Sequence, residues 1–263
     1  MKIKKIKFYV MLFFLTLSVK LIADLDGYFY NESDTGITFS ATSVEIDSNL
    51  RRPVYLPSGT FLYSQFVAHQ IPFINLTTNG VSTYLVLYNS PILLLYEKES
   101  NDHLELWGSF SRVLYPEGFN YFTSSEYRQG DEFYPAGNLR SRELAKPWVE
   151  GVDGPGINEW IEIRGVRSQY GDAPKIGGLV FSNGFVSFDK PFLFQDNNRV
   201  KELMITEHDG SKPYIVQLFD SPNPQVIRFS EPYDTVRLTI VDVYHGRKWD
   251  DTCINFLLPL EEW

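Results

Sequence analysis

The chain has one cysteine and four histidines among its 263 residues, and each shortage excludes a class of site. Because Cys253 has no partner within the chain, no internal disulfide can form, and burial of apolar side chains has to supply the stability. We expect Cys253 to be a buried structural thiol in a strand rather than a reactive or metal-binding one. The histidines are far apart in sequence, and no H-E-x-x-H or paired C-x-x-C motif occurs, so zinc binding is not predicted.

Basic residues are also in the minority. The 24 lysines and arginines stand against 33 acidic residues, for a formal net charge of −9. Five of those lysines and no acid fall within residues 1–23, so the rest of the chain is more acidic still. A surface of this sign repels phosphate backbones, which argues against a nucleic-acid partner.

Long apolar runs are missing as well. Lys2, Lys4, Lys5 and Lys7 precede an apolar stretch over residues 8–19, which is shorter than the roughly 20 residues of a membrane-spanning helix. A basic head, a short apolar body and the small residue Ala23 are typical of a secretory signal peptide over residues 1–23. The sequence therefore predicts an exported protein of the periplasm, the cell surface or the medium, and not an integral membrane protein once this segment is cleaved.

No stretch after residue 23 has the period of a long amphipathic helix. Short β-branched and aromatic runs alternate instead with turn residues, and in VRLTIVDVY (residues 236–244) apolar and polar side chains alternate with a period of two. The predicted fold class is all-β. A polar stretch at residues 124–135 predicts two parts after the signal peptide, a small β-rich domain of unknown type over residues 24–128 and a second domain over residues 129–263.

Motifs for catalysis are lacking. The sequence contains no G-x-S-x-G elbow, no convincing Cys-His pair and no glycine-rich nucleotide motif, so an enzyme is not predicted. A glycosidase needs only two carboxylates at a suitable separation, and a polysaccharide-active hydrolase therefore remains a third hypothesis for this acidic chain.

An ordered set of segments in the C-terminal half is more informative. It consists of WVEGVDGPGINEWIEI (residues 148–163), NG (183–184), DNNRVKELMI (196–205), LFD (218–220), QVIRF (225–229) and VRLTIVDVYHGRKWDDTCI (236–254). The set resembles a discoidin-like family of bacterial surface proteins, which includes the glycan-binding and translocation domain that accompanies a streptococcal NAD-glycohydrolase toxin. The resemblance covers roughly residues 130–263. It implies a galactose-binding-like jelly roll of two antiparallel sheets, with ligand loops at one end and no catalysis of its own.

One loop has the composition of a sugar site. Sugar binding needs an aromatic plane for the apolar face of the ring and fixed polar groups for its hydroxyls. The segment YHGRKWDD supplies both, through Tyr244, His245, Arg247, Lys248, Trp249, Asp250 and Asp251. Tyr244 and Asp251 have an alternative role in holding the loop itself. Tyr170, beside a glycine in SQYGD, is a second candidate contact.

Other residues of the resembling segments are interpreted as structural. Trp148 and Trp160 are expected to seal one end of the sandwich core, and three glycines between them indicate a shaped loop. Asn197 and Asn198 predict a turn in which asparagine tolerates left-handed geometry. Arg199 is expected to pair with an acid, and three candidates stay open, namely Glu150, Glu159 and Asp220.

The predicted partner is thus a glycan or glycoconjugate, bound without a cofactor. A structural calcium ion is conceivable at Asp189, Asp196, Asp250 or Asp251, but no loop has a regular ligand spacing. The alternative hypothesis is an envelope adaptor that uses the same sandwich to bind another protein.

Overall fold

A computed structural model describes most of the C-terminal half and the strands of the N-terminal half. The described residues are 27–30, 35–39, 43–48, 59–68, 71–78, 82–89, 92–98, 104–111, 118–141, 144–167, 171–187, 190–207 and 212–261. Two compact units are present, of which the first comprises Met1–Phe66, Phe73–Leu95 and Trp107–Arg112, and the second comprises Val67–Pro72, Tyr96–Leu106 and Val113–Trp263.

The N-terminal strands form one closed sheet. They are β1 (Gly27–Tyr30), β2 (Thr35–Phe39), β3 (Ser43–Ser48), β4 (Gly59–Ala68), β5 (Ile71–Thr78), β6 (Ser82–Asn89), β7 (Ile92–Lys98) and β8 (Leu104–Ser111). Each strand is hydrogen-bonded to the next along the chain, and β1 also pairs with β8 in antiparallel orientation.

In the described part of the C-terminal half, strands are joined by loops and by two short helices. The strands are β9 (Phe119–Thr123), β10 (Tyr127–Gln129), β11 (Glu132–Tyr134), β12 (Trp148–Val149), β13 (Trp160–Gly165), β14 (Ile176–Asn183), β15 (Asn198–Glu207), β16 (Tyr214–Gln217), β17 (Gln225–Tyr233), β18 (Thr235–Tyr244) and β19 (Thr252–Glu261). A 3₁₀ helix spans Ala136–Arg140, and the helix α1 spans Leu193–Asp196. None of the helices described is long and apolar enough to cross a membrane.

These strands form two layers around one core. The order is β17-β14-β19 in one layer and β15-β18-β13-β9 in the other, with β12 beside β19 and β16 beside β15. A short parallel pairing of β15 with β19 at Asn198–Thr252 and Arg199–Cys253 joins the two layers. The hairpin of β10 and β11 stands apart as a separate two-stranded sheet.

The core lies between the layers because each strand turns its apolar residues inward. In β18, Val236, Leu238 and Ile240 are buried, and they alternate with less buried residues as the sequence period predicts. They share one apolar cluster with Leu179 of β14 and Leu257 of β19. The predicted fold class, an all-β protein with a discoidin-like jelly roll in its C-terminal half, is confirmed.

The predicted domain boundary at residues 128–129 stays a prediction. Strand β9 lies before that boundary, and it pairs over its whole length with β13 of the second unit. The signal peptide predicted for residues 1–23 lies outside the described residues.

Candidate functional site

The loop between β18 and β19 (residues 245–251, here called the β18–β19 loop) is held from below by Asn198. The side-chain NH₂ of Asn198 donates to the backbone oxygen of Asp250 at 2.6 Å and to its Oδ1 at 3.1 Å. The side-chain oxygen of Asn198 accepts the backbone N–H of Gly246 at 2.6 Å. The backbone N–H of Asn198 donates to the backbone oxygen of Asp251. Asn198 is fully buried, so one amide fixes both ends of the loop in a place that water does not reach.

Arg199 continues this support on the other side of β15. Its guanidinium makes a bidentate pair with Asp220, at 3.0 Å from Nε to Oδ1 and 2.8 Å from Nη2 to Oδ2. Nη1 donates to the backbone oxygens of Asn197 and His245. Of the three acids considered from sequence, Asp220 is thus the partner. The Arg199 side chain is only 4 % exposed, so one buried cation connects three loops.

The C-terminal end of α1 supplies a further set of acceptors. The N–H groups of Lys248 and Trp249 both donate to the oxygen of Asp196, and the N–H of Arg247 donates to the oxygen of Gln195. Gly246 makes this close approach possible, because a Cβ there would lie 2.4 Å from the backbone oxygen of Asp196. The β18–β19 loop therefore has a fixed backbone.

The side chains of the loop differ in their exposure. His245, Arg247, Lys248 and Asp250 are exposed. Trp249, Tyr244 and Asp251 are partly buried. The Lys248 ammonium lies 4.1 Å from the centre of the Trp249 ring, so it covers one face of the indole. The Tyr244 hydroxyl donates to the backbone oxygen of Leu218, so this side chain joins the start of the loop to the segment that contains Leu218.

Beside this loop, a fully buried carboxylate joins two segments. Glu150 Oε1 accepts the N–H of Thr252 at 3.1 Å, and Oε2 accepts the N–H of Val152 at 2.8 Å. Burial raises the pKa of Glu150 to about 7; the two backbone hydrogen bonds oppose that shift, and the carboxylates of Asp251 and Glu159 add to it. Gly156, at φ +66°, packs against this carboxylate and leaves no room for a Cβ.

Three other residues interpreted as structural from the sequence each contact a neighbouring segment. Trp148 is fully buried in the core and donates from Nε1 to the oxygen of Ser125. Glu159 accepts the hydroxyls of Ser124 and Ser125, each at 2.5 Å. Trp160 is only partly buried, and the guanidinium of Arg237 lies 4.2 Å from its ring centre.

Cys253 lies in β19 as a buried free thiol. Burial raises the pKa of this thiol well above its usual value, and the charges of Asp251 and Glu150 add to the effect. Burial also raises the pKa of Asp251, with Asp250 contributing. Because the protonated thiol is a weak nucleophile, the site offers no reactive sulfur.

The left-handed geometry predicted for a turn at Asn197 and Asn198 is wrong. Asn197 has an extended backbone at φ −98°, Asn198 begins β15, and both are buried. Among the described non-glycine residues, a positive φ occurs at Ala145 and Asn158. The side-chain amides of Asn197 and Asn198 bond other parts of the backbone instead of stabilising a left-handed turn. Asn197 donates to the oxygen of Leu193, and Asn198 holds the β18–β19 loop.

Two other candidates gain no structural support. Tyr170 and Asp189 lie outside the described residues, so their contacts stay predictions. Over the described ranges, no group of three or more histidine, cysteine, aspartate or glutamate side chains is placed to hold a metal ion.

Sequence reasoning missed two features at this part of the fold. One is an open groove of about 600 Å³ between β9 and the hairpin, lined by Phe122, Ser124, Ser125, Arg128 and Phe133 among others. The other is Phe219, a residue that is 76 % exposed and precedes Asp220 of the Arg199–Asp220 pair. In the sequence, the LFD segment that contains Phe219 marked only the resemblance, because a single phenylalanine before an aspartate has no local pattern that indicates exposure.

The comparisons with known proteins agree with this fold. The NAD glycohydrolase translocation F5/8 type C domain matches residues 116–257. No curated protein sequence matches the chain.

Solved structures with similar folds include the family 32 carbohydrate-binding module of NanJ from C. perfringens in complex with galactose (14 % identity, TM-score 0.39, 55 % of this chain and 93 % of that chain). A second is the module CBM32-1 from a family 31 glycoside hydrolase of Clostridium perfringens (11 % identity, TM-score 0.38, 56 % and 96 %). A third is the arabinofuranosyltransferase AftD from Mycobacteria (15 % identity, TM-score 0.39). The match covers 54 % of this chain but only 10 % of AftD. At these identities the similarity concerns the fold alone.

Proposed function

Because the chain belongs to the family of NAD glycohydrolase translocation F5/8 type C domains, we propose that it is a non-catalytic protein that binds a glycan or glycoconjugate. The site is the β18–β19 loop together with Tyr244. Carbohydrate-binding modules of the same fold, one of them in complex with galactose, are consistent with this ligand class.

The observation that carries the proposal is the contrast between a fixed backbone and exposed side chains in the loop. Asn198, Arg199 and the end of α1 hold the backbone, while His245, Arg247 and Asp250 face solvent. A site that is ordered before binding loses little conformational entropy when the ligand arrives. Exposed donors and acceptors of both charges suit the hydroxyls of a sugar, and the partly exposed indole of Trp249 suits its C–H surface.

The proposal includes export to the periplasm, the cell surface or the medium. Its support is the basic and apolar order of residues 1–23 in the sequence. The absence of catalysis is proposed because the buried Cys253 is held as a thiol and the polar side chains of Asn198 and Arg199 are occupied by backbone groups.

A glycan array tests this function. The purified chain is applied with calcium and, in parallel, with a chelator, together with the variant Trp249→Ala. We expect specific binding by the wild-type chain and a loss of that binding in the variant, because the variant removes the indole plane from the loop.

The matched control is Trp160→Ala, which removes an indole outside the loop. Thermal unfolding of both variants separates loss of the site from loss of the fold. If the wild-type chain binds no glycan, either in calcium or in chelator, the glycan proposal is overturned.

One observation favours the alternative of a protein adaptor. Strand β16 pairs only with β15 in the described sheet, and it exposes Tyr214 and 53 % of the surface of Ile215. A strand of this kind can add a strand from a partner. Cross-linking in cells that gives one reproducible protein partner, lost on Ile215→Lys, would favour this function over sugar binding.

A further inference from the structure

We propose that Phe219 is a second aromatic contact for the sugar, next to the β18–β19 loop. This inference rests on the proposed function and extends it, because it assigns a ligand contact to a loop outside the segment that the sequence indicated. The ligand class is a glycan whose pyranose ring presents a patch of C–H groups to a flat aromatic face.

The first argument is exposure. Phe219 is 76 % exposed, and Phe192, the next most exposed large apolar residue of the described chain, reaches 54 %. Single exposed apolar residues are common and need no function by themselves. Phe219 is different because hydrogen bonds fix its backbone.

The second argument is this fixed backbone. The N–H of Phe219 donates to Oε1 of Gln225 at 2.7 Å, and its oxygen accepts the side-chain NH₂ of the same glutamine at 3.0 Å. The N–H of Ser221 donates to that oxygen as well. One side-chain amide therefore bonds both backbone groups of Phe219, which fixes the position of its backbone before any ligand arrives.

The third argument is location. Leu218, on one side of Phe219, is buried and accepts the hydroxyl of Tyr244. Asp220, on the other side, pairs with Arg199, which also donates to the oxygen of His245. Because both bond the Arg199 guanidinium, the Asp220 carboxylate and the backbone oxygen of His245 lie within about 8 Å of each other. Both neighbours of Phe219 in the chain therefore contact groups that also hold the β18–β19 loop.

The fourth argument is the state of the two aromatic rings. Lys248 lies over one face of Trp249, and that indole is partly buried. Phe219 offers a far larger free area. A sugar bound at the β18–β19 loop gains a second aromatic plane from Phe219 in this proposal, while His245 and Arg247 of that loop are exposed to bond its hydroxyls.

The test measures glycan binding by the purified chain and by Phe219→Ala, Phe219→Tyr and Phe122→Ala. Phe122 is the matched control, because it is a half-exposed phenylalanine in the groove of β9. We expect Phe219→Ala to weaken binding about tenfold or more, Phe219→Tyr to retain it, and Phe122→Ala to leave it unchanged. The unfolding temperature of Phe219→Ala should stay that of the wild-type chain, because the ring is mostly in solvent.

Three results would overturn the inference. If the wild-type chain binds glycans and loses them in Trp249→Ala but not in Phe219→Ala, the inference fails and the proposed function stands. If the wild-type chain binds no glycan, both fail together. If the chain sediments with phosphatidylcholine and phosphatidylserine vesicles and Phe219→Ala abolishes this without changing glycan binding, the ring contacts lipid instead.

Discussion

Two buried glutamates, Glu162 in the body of the sandwich and Glu150 at its loop end, have opposite surroundings. Glu162 of β13 accepts the guanidinium of Arg237 at 2.6 Å and also pairs with Arg164. Although burial acts to raise it, the pKa of Glu162 is lowered, because hydrogen bonds and charge from both arginines prevail. Glu150 accepts two backbone N–H groups instead, and its pKa is raised to about 7.

The difference separates two ways of using a polar side chain. In the body, Glu162 pairs with cations that reach the surface of the sheet. At the loop end, Glu150 and Asn198 bond to backbone groups, and Arg199 bonds to backbone as well as to Asp220. Polar groups that serve the backbone fix the path of a loop, which is what a preorganised binding site requires.

The largest expected effect comes from removing the cation of the loop end. Arg199→Met leaves Asp220 and the oxygens of Asn197 and His245 without their donor. We expect a loss of about 3 to 4 kcal/mol in the free energy of unfolding, measured by urea denaturation. Asp220 is 34 % exposed and regains water, which keeps the loss at the lower end of that known for buried pairs.

The control is Arg247→Met in the same part of the chain. Its side chain is exposed, so the free energy of unfolding should change by less than about 0.5 kcal/mol. Equal effects of the two variants would show that Arg199 does not support the loop.

The next effect is a dependence of stability on pH at Glu150. Between its usual pKa of 4.5 and the native value of about 7, the native state holds a proton that the unfolded state has lost. Stability from this group is therefore complete below pH 4.5 and is lost as the pH rises through 7, on the order of 3 kcal/mol. Urea denaturation across this range should show that decline in the wild-type chain and a flatter profile in Glu150→Gln. Parallel profiles for the two chains would contradict the raised pKa.

A third variant tests how closely the β18–β19 loop approaches α1. Gly246→Ala places a Cβ against the backbone of Asp196 and Asn197, which cannot yield as a side chain does. We expect a cost of about 2 kcal/mol and faster hydrogen exchange at residues 246–249. Gly137→Ala, with no atom within 4 Å of the added Cβ, should cost almost nothing.

The smallest effect belongs to the body. Glu162→Gln removes the charge between Arg164 and Arg237, whose side chains are 54 % and 42 % exposed and remain hydrated. We expect a cost of about 1 kcal/mol at neutral pH. Because the pKa of Glu162 is lowered, its contribution is lost on acidification, opposite in sign to that of Glu150. Urea denaturation between pH 3 and 7 compares the two slopes, and slopes of the same sign would remove the contrast between the regions.

Much of the fold could be predicted from the sequence, because strand periodicity is local. The alternation in residues 236–244 predicts β18 to within one residue, and the ordered segments of the C-terminal half indicate the jelly roll. The supports of the loop could not be predicted. Asn198 and Asp250 are 52 positions apart, and no local pattern in the sequence indicates that the Asn198 side chain bonds so distant a backbone group. The exposure of Phe219 likewise depends on the folded path of its loop, which Gln225 fixes by bonding the Phe219 backbone.

The most direct test of the central claim follows the backbone amides of the chain by nuclear magnetic resonance during titration with a glycan that the array identifies. We predict shifts at the β18–β19 loop and at residues 218–221, with few changes at Glu162 and its strand. Shifts confined to the groove of β9 and the hairpin, or to β16, would contradict a glycan site at the β18–β19 loop.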